Sequence, residues 1–355
     1  VFEFVIAELN DAYQNLPDRA GIDGRANKWS AAGFLSKVYT YLASCKNNTV
    51  GSSLGFALNS FDWVDKDDMY NQAKTVTNDI ITYSEYKLTD HYDYLFREST
   101  KQAQSEESLF SVLSLLNSPN GNYNLWLFWQ IPIGASQAGG GYGWFRPTGE
   151  MFFKYDAADV RRTHNLTTYV ATDGPKETVE GVSYFKPYPC DNPLNGNYCV
   201  GKFRYRDPAG KTISNGSAWS DANVILLRYA DILLLNAEAK YFTGDEAGAR
   251  ARLWEVRERS NPDNIDALTT AYMKSNFVDE LIDERSRELC FENWRRIDLI
   301  RFGRYESALN GLSTNLGSWN SIVPVIKANV KATKIWFPIP KTDIELSPLE
   351  PNPGY

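Results

Sequence analysis

The sequence predicts an all-α protein of tetratricopeptide-like helix pairs, with an irregular, aromatic-rich loop region and a few short strands. Three observations carry this. Apolar residues recur at helical spacing in the first and last thirds of the chain. The middle, residues 116–221, is rich in Gly, Pro, Asn and aromatic residues instead. The end, Pro348-Leu349-Glu350-Pro351-Asn352-Pro353-Gly354-Tyr355, follows Trp336-Phe337-Pro338-Ile339-Pro340 and is too proline-rich to be helix. Proline fixes φ and removes amide donors, and it pushes the residue before it to extended backbone. Such a tail has to be pinned by its side chains, here Trp336, Phe337 and Tyr355.

The elements follow in order. Phe2 to Leu16 has an apolar face of Phe2, Val5, Ile6, Leu9 and Tyr13, and stops before Pro17. A loop with Gly21 and Gly24 leads to a second helix, Trp29 to Ala43. Its small residues Ala31, Ala32 and Gly33 let a neighbour approach closely, and Leu35, Val38, Tyr39 and Leu42 supply the stripe. A third helix runs from about Lys66 to Ser84, and Glu107 to Val112 has the pattern of a short strand. Thr148 to Asp159 suits one short helix capped by Thr148, with Glu150 in its first turn. Val224 to Phe242, the tight turn at Gly244-Asp245, and Ala247 to Arg259 form a helix, turn and helix of tetratricopeptide type. Phe277 to Gly303 supplies one further long helix or two.

Composition narrows the class. The 355 residues are 43% hydrophobic and 23% charged, which fits a globular chain and argues against disorder. The 10 Trp, 21 Tyr and 18 Phe exceed what core packing needs, so rings are expected at the surface, where they stack on flat faces such as those of sugars. The net charge is −7 and no Lys/Arg run occurs, which argues against nucleic acid. No apolar run has the length of a membrane span. The start at Val1 reads as the cut end of a longer precursor, because Glu3 and Glu8 are incompatible with a signal-peptide core.

Several motifs admit more than one chemistry. Arg285, Glu288, Glu292 and Arg295 fall at i, i+3, i+7 and i+10, which places them on one helical stripe of alternating sign. Glu288 and Glu292 could be read as the carboxylate pair of a glycoside hydrolase. The structural reading is preferred, because arginine neighbours keep a carboxylate ionised whereas an acid catalyst needs a raised pKa. Asp62, Asp65, Asp67 and Asp68 could offer oxygen ligands to calcium, but they lack EF-hand spacing, and three of the four, Asp65, Asp67 and Asp68, can simply open the third helix. His91 and His164 are the two histidines. That leaves little for a zinc site or a His-dependent triad, and no metal or cofactor is expected. The Gly139 to Gly143 run lacks the Lys-Ser/Thr context of a phosphate loop. Cys190 and Cys199 bracket a turn-rich loop and could close a disulfide or stay as two thiols; the sequence leaves both open. Cys45 and Cys290 sit in helical patterns and read as small core residues.

The candidate ligand-binding residues are Trp126, Trp129, Tyr142, Trp144 and Asn124. With Phe145, Tyr184, Tyr188, Asn122 and Gln137 they gather rings and amides in the irregular middle, as a stacking platform for sugars would. The competing reading is a minor core under long loops, and Trp144, beside Arg146-Pro147-Thr148, fits that best.

The blocks of the chain, taken in order, resemble the SusD/RagB family. Gly24-Arg25-Ala26, Tyr70 to Tyr86, Glu107-Ser108-Leu109-Phe110, Arg146-Pro147-Thr148 and Asp159-Val160-Arg161-Arg162 look like its successive landmarks. Leu227 to Ala239, and Glu284 to Leu289 with Phe291-Glu292, Arg295 and Asp298 to Arg301, are similar to its two most recognisable segments, and the tail closes the likeness. The resemblance implies one SusD-like domain over residues 1–355 lacking its N-terminal part. In it, 1–115 is helical scaffold, 116–221 an irregular ligand-facing region, and 222–355 tetratricopeptide-like helices and tail. It implies a non-catalytic surface lipoprotein of the outer membrane that captures glycan beside a SusC-like TonB-dependent transporter. The lipid anchor expected for such a protein is not in this chain. A peptide-binding RagB-like uptake protein and a tetratricopeptide interaction scaffold are the alternatives.

Overall fold

A computed structural model describes residues 1–21, 24–55, 60–96, 100–114, 130, 143–168, 176–179, 182–185, 188–194, 198–203, 223–314, 321–352 and 354–355. The described chain is mainly helical. The first three helices are α1 (Phe2–Asn15), α2 (Lys28–Asn47) and α3 (Lys66–Tyr83). After α4 (Lys101–Glu107) comes β1 (Ser108–Val112). The short helices α5 (Gly149–Phe153) and α6 (Val160–Asn165) precede a set of small strands. These are β2 (Leu166–Thr168), β3 (Lys176–Val179), β4 (Val182–Phe185), β5 (Tyr188–Pro189) and β6 (Tyr198–Val200). β7 (Val224–Arg228) leads into α7 (Tyr229–Phe242), α8 (Glu246–Ser260), α9 (Ile265–Tyr272), α10 (Phe277–Glu288) and α11 (Arg295–Arg301). The helices α12 (Tyr305–Asn310), α13 (Val323–Asn329) and α14 (Lys341–Leu346) complete it.

Helices α1, α2, α3, α7 and α8 pack in that order, each against the next, and α10 closes over α7 and α8. The core they share joins Leu35, Tyr39, Tyr70, Ala73 and Ile80 to Leu233, Leu234, Leu253, Val256 and Leu281. Gly33 is where the small-residue run of α2 matters. A Cβ there would meet Leu227 at 2.4 Å and Ile232 and Leu109 at 3.3 Å, so α2 is pressed against β1, β7 and the start of α7.

The predicted strand at 107–112 is present as β1, antiparallel to β7. The helix expected from Val224 begins five residues later, at Tyr229, because Val224–Arg228 pairs with β1 instead. The helix expected over 148–159 is also shorter. It starts after Thr148, with Glu150 in its first turn, and ends at Phe153; the Thr148 side chain makes no capping hydrogen bond. At α3, Asp65 takes the N-cap, its carboxylate accepting from the amides of Asp67 and Asp68, as the helix-opening reading expects.

The tail folds back on itself. Trp336 packs in a cluster with Phe61, Val50 and Ile335. Tyr355 Oη donates to Trp336 O at 2.9 Å, and Asn352 Nδ2 donates to Phe337 O at 2.6 Å. Phe337 itself stays 75% exposed, with the Arg296 guanidinium 4.6 Å from its ring centre. Of the three predicted pins, only Trp336 therefore enters the body. A short helix, α14, stands between the two proline-rich stretches.

Candidate functional site

Two polar features dominate the interior and surface. The first is a buried ionic network. Helix α7 is buried along Tyr229–Ala239, so its polar residues must be matched inside the protein. Asp231 is held by Lys37 and by Arg285 at 2.9 Å. Glu238 is held by Arg301 at 2.6 Å, and Asp298 joins Arg285 to Arg301 at 2.9 Å each. A second group surrounds the end of α10. Arg161 bridges Asp159, Glu284 and Glu288 at 2.7–2.9 Å. Arg228 bridges Glu107, Glu288 and Glu292 at 2.6–2.9 Å. Arg259 reaches Glu107 and Glu288, and Lys202 reaches Glu292.

The predicted single stripe of Arg285, Glu288, Glu292 and Arg295 does not exist. Helix α10 ends at Glu288, and the chain turns through left-handed Phe291 (φ 61°) and Asn293 (φ 70°). That turn carries Glu292 off the helix and aims it at Lys202 and Arg228. The pairing is thus across the fold, not along one helix.

The electrostatics oppose acid catalysis here. Burial alone would raise the Glu288 carboxyl, but Arg259, Arg228 and Arg161 outweigh it and hold it below the ordinary carboxylate range. Glu284 is held well below that range, burial being overcome by Arg287, Arg161 and Arg257. Glu292 is lowered likewise, burial being overcome by Arg228 and Lys202. A carboxylate kept ionised in this way cannot donate a proton to a leaving group near neutral pH. Glu238 differs: burial dominates over Arg301 and its carboxyl is raised. It lies fully buried against Tyr70 and Arg301, with no route to a substrate.

The second feature is a cleft of about 1290 Å³ between the loop before α2, the end of α3, α4 and β1. Asn27 builds one wall. It caps α2, accepting from Ser30 N at 2.8 Å, and its Nδ2 donates to Tyr86 Oη at 2.9 Å. Ser30 Oγ donates to Leu109 O at 2.6 Å and ties α2 to β1. Gly24 is left-handed (φ 81°), and a Cβ there would come within 2.9 Å of the Leu113 side chain just past β1, so glycine suits the close approach of this loop. On the other wall Asn223 Nδ2 donates to Gln104 Oε1 at 3.0 Å, and Gln104 Nε2 donates to Leu95 O at 2.6 Å.

Trp29, Tyr83, Tyr86 and Phe110 line the cleft with Asn27, Gln102, Gln104 and Asn223. Tyr83 is 72% exposed, Tyr86 and Phe110 are half-buried, and Trp29 is buried. The carboxylates in the lining, Asp18, Glu85 and Glu106, are exposed and stand beside Lys28, Arg19 and Lys87 respectively. None has the enclosed apolar setting that makes a carboxylic acid a proton donor. Rings beside fixed amides suit a polyhydroxylated ring, whose faces stack and whose hydroxyls hydrogen-bond.

Of the residues predicted for the site, Asn124, Trp126, Trp129 and Tyr142 lie outside the described residues, as do Asn122 and Gln137. Tyr184 and Tyr188 fall on β4 and β5, of which only the backbone is described. Trp144 is 65% exposed and Phe145 42%. The cleft rings were not anticipated. The available signal was Tyr83-Ser84-Glu85-Tyr86, two tyrosines bracketing the turn that ends α3.

The question of the disulfide is settled by topology. Cys190 follows β5 and Cys199 lies in β6, and the sheet order is β5-β2-β6. Two strand spacings, roughly 9–10 Å, separate them, beyond the reach of a disulfide. All four cysteines are buried thiols; Cys199 Sγ donates to Thr167 O and Cys190 Sγ to Asn192 O. Among the described residues no three His, Cys, Asp or Glu side chains are grouped to hold a metal, and no helix is long and apolar enough to cross a membrane.

Comparison with known proteins completes the picture. The chain is 24% identical over 402 residues to a SusD-like protein of Bacteroides ovatus, covering 99% of this chain and 66% of that protein. It is 26% identical over 371 residues to SusD-like protein P2 of Formosa agariphila, covering 100% of this chain and 65% of that one. The chain thus spans a little under two thirds of either relative. Among solved structures it resembles surface glycan-binding protein A of Bacteroides thetaiotaomicron in complex with laminarihexaose. That match has a TM-score of 0.68 and 20% identity, over 99% of this chain and 70% of the other. The sequence model of the SusD family matches residues 72–355, four fifths of the chain and all of its ionic network downstream of α3, and the protein belongs to the SusD family.

Proposed function

We propose that this chain binds glycan without catalysis, as part of a cell-surface nutrient-uptake protein. The observation that carries the reading is the makeup of the cleft, with Tyr83, Tyr86 and Phe110 among Asn27, Gln102, Gln104 and Asn223. Rings give stacking area, and the amides of Asn27, Gln104 and Asn223, fixed by their own hydrogen bonds, give direction at low entropic cost. The carboxylates at the end of α10, Glu284, Glu288 and Glu292, are matched by cations and held ionised, which agrees with capture and not hydrolysis. A surface glycan-binding protein of the same fold was solved with laminarihexaose, which supports an oligosaccharide as the ligand class.

In the wider reading the chain is one SusD-like domain, with Trp144, Trp126, Trp129, Tyr142 and Asn124 adding contacts from the irregular middle. The complete protein would be a lipid-anchored lipoprotein of the outer membrane that works with a SusC-like TonB-dependent transporter. Titration calorimetry with laminarihexaose and a xyloglucan oligosaccharide, alongside a reducing-end assay, tests the core of this. Saturable heat with no new reducing ends supports it. New reducing ends from purified protein would replace it with a hydrolase.

A further inference from the structure

A hollow of about 270 Å³, separate from the cleft, lies where α10, α11 and α12 meet. Lys274, Arg295 and Arg304 line it, with Asp279 and Asp283. The two carboxylates are already engaged. Asp283 holds Lys274 and Lys154, and Asp279 holds Arg304 at 3.2 Å. Arg295 is left over. Its Nη1 donates to Ile282 O at 3.2 Å, and it ion-pairs with no described carboxylate. The side chain is half-buried, and burial pulls its pKa below the usual guanidinium value despite Asp298 and Asp283 nearby. A guanidinium has five donors in a planar fork, and this one spends a single bond on the protein.

We propose that the hollow is an oxyanion site, in which Arg295, with Lys274 and Arg304 beside it, takes a sulfate or phosphate group. Three cations against two carboxylates leave the lining with an excess of one positive charge, which a bound anion offsets. A tetrahedral oxyanion presents oxygens in several directions at once, and so suits donors converging from three elements better than a planar carboxylate does. The anion can arrive free or as an ester on a sugar.

The test is titration of the full chain with sodium sulfate, sodium phosphate, glucose 6-sulfate and unsubstituted glucose. Ionic strength is held constant with chloride, since sulfate also stabilises proteins by exclusion from their surface. The expected result is one saturable site for the sulfated or phosphorylated probes and none at this site for glucose. Arg295→Gln weakens it by about tenfold or more, the share of a charge-assisted hydrogen bond. Arg304→Gln, at a half-exposed position that folding tolerates, weakens it by a smaller factor. Tighter binding of glucose 6-sulfate than of sulfate assigns the site to a sugar ester; equal binding assigns it to the free ion. Absence of saturable binding, or binding unchanged in both variants, overturns the proposal.

Discussion

Arg228 Nη1 lies 2.6 Å from Glu288 Oε1 in the middle of the fold, and neither side chain reaches solvent. The same guanidinium holds Glu107 and Glu292, so one residue fastens β7 to the end of α10 and to the α4–β1 junction. Replacing it with methionine keeps most of the volume and takes one cation from each of three buried carboxylates, which leaves Arg259, Arg161 and Lys202 to hold them. The expected cost is about 3–5 kcal/mol, the range for breaking a buried pair from one side. Urea denaturation of Arg228→Met against wild type measures it; a loss under about 1 kcal/mol would show that the network is not structural.

Stability depends on pH in a direction the network fixes. Glu284, Glu288, Glu292, Asp231 and Asp298 all have folded pKa values below their unfolded ones. In each, burial opposes ionisation and neighbouring arginines or Lys37 outweigh it. A group lowered on folding contributes stability that is present above its unfolded pKa and lost as pH falls toward its folded value. Glu238 is raised, chiefly by burial, and contributes with the opposite sign. Five groups against one predict a urea midpoint that holds near neutral pH and falls below roughly pH 4, where unfolded carboxylates titrate. A midpoint that stayed level down to about pH 3 would contradict this.

Gly33 is a packing position. A methyl group there collides with Leu227 and crowds Ile232 and Leu109. Although alanine favours helix over glycine, Gly33→Ala is expected to destabilise by about 1–3 kcal/mol through overpacking. Thermal unfolding followed by circular dichroism reads it, and a raised melting temperature would mean the helix gain prevails.

The four cysteines are buried thiols, and burial pushes the Cys45 thiol up to about 12. Native protein should therefore react slowly with a thiol reagent, while unfolded protein, never exposed to reductant, should titrate four equivalents. Two equivalents in denaturant would mean that a disulfide forms after all.

The paired helices could be read from the sequence because their apolar stripes are long. Phe2 to Leu16, Trp29 to Ala43, Lys66 to Ser84 and Ala247 to Arg259 each fall within a few residues of an observed helix. Val224–Arg228 could not be read this way. A short apolar run suits strand or buried helix equally, and pairing with Ser108–Val112, more than a hundred residues away, decides it. The place of Glu292 was hidden because it depends on left-handed backbone at Phe291, a residue type that rarely adopts it. The cleft was hidden for a similar reason. Its walls join only in three dimensions, through contacts such as Asn27 with Tyr86 and Gln104 with Asn223. Taken singly, each of those residues reads as a cap or a surface amide.

The measurement that bears most directly on the central claim is affinity gel electrophoresis in polysaccharide-containing gels, including laminarin and xyloglucan, of wild type beside Tyr83→Ala. Tyr83 is exposed at the cleft, so its removal should leave the fold intact. The account predicts retardation of wild type by at least one glycan and clearly weaker retardation of the variant, since a stacking ring is worth about 0.5–1.5 kcal/mol. Retardation identical in the two proteins, or none in any gel, would contradict glycan capture at this cleft.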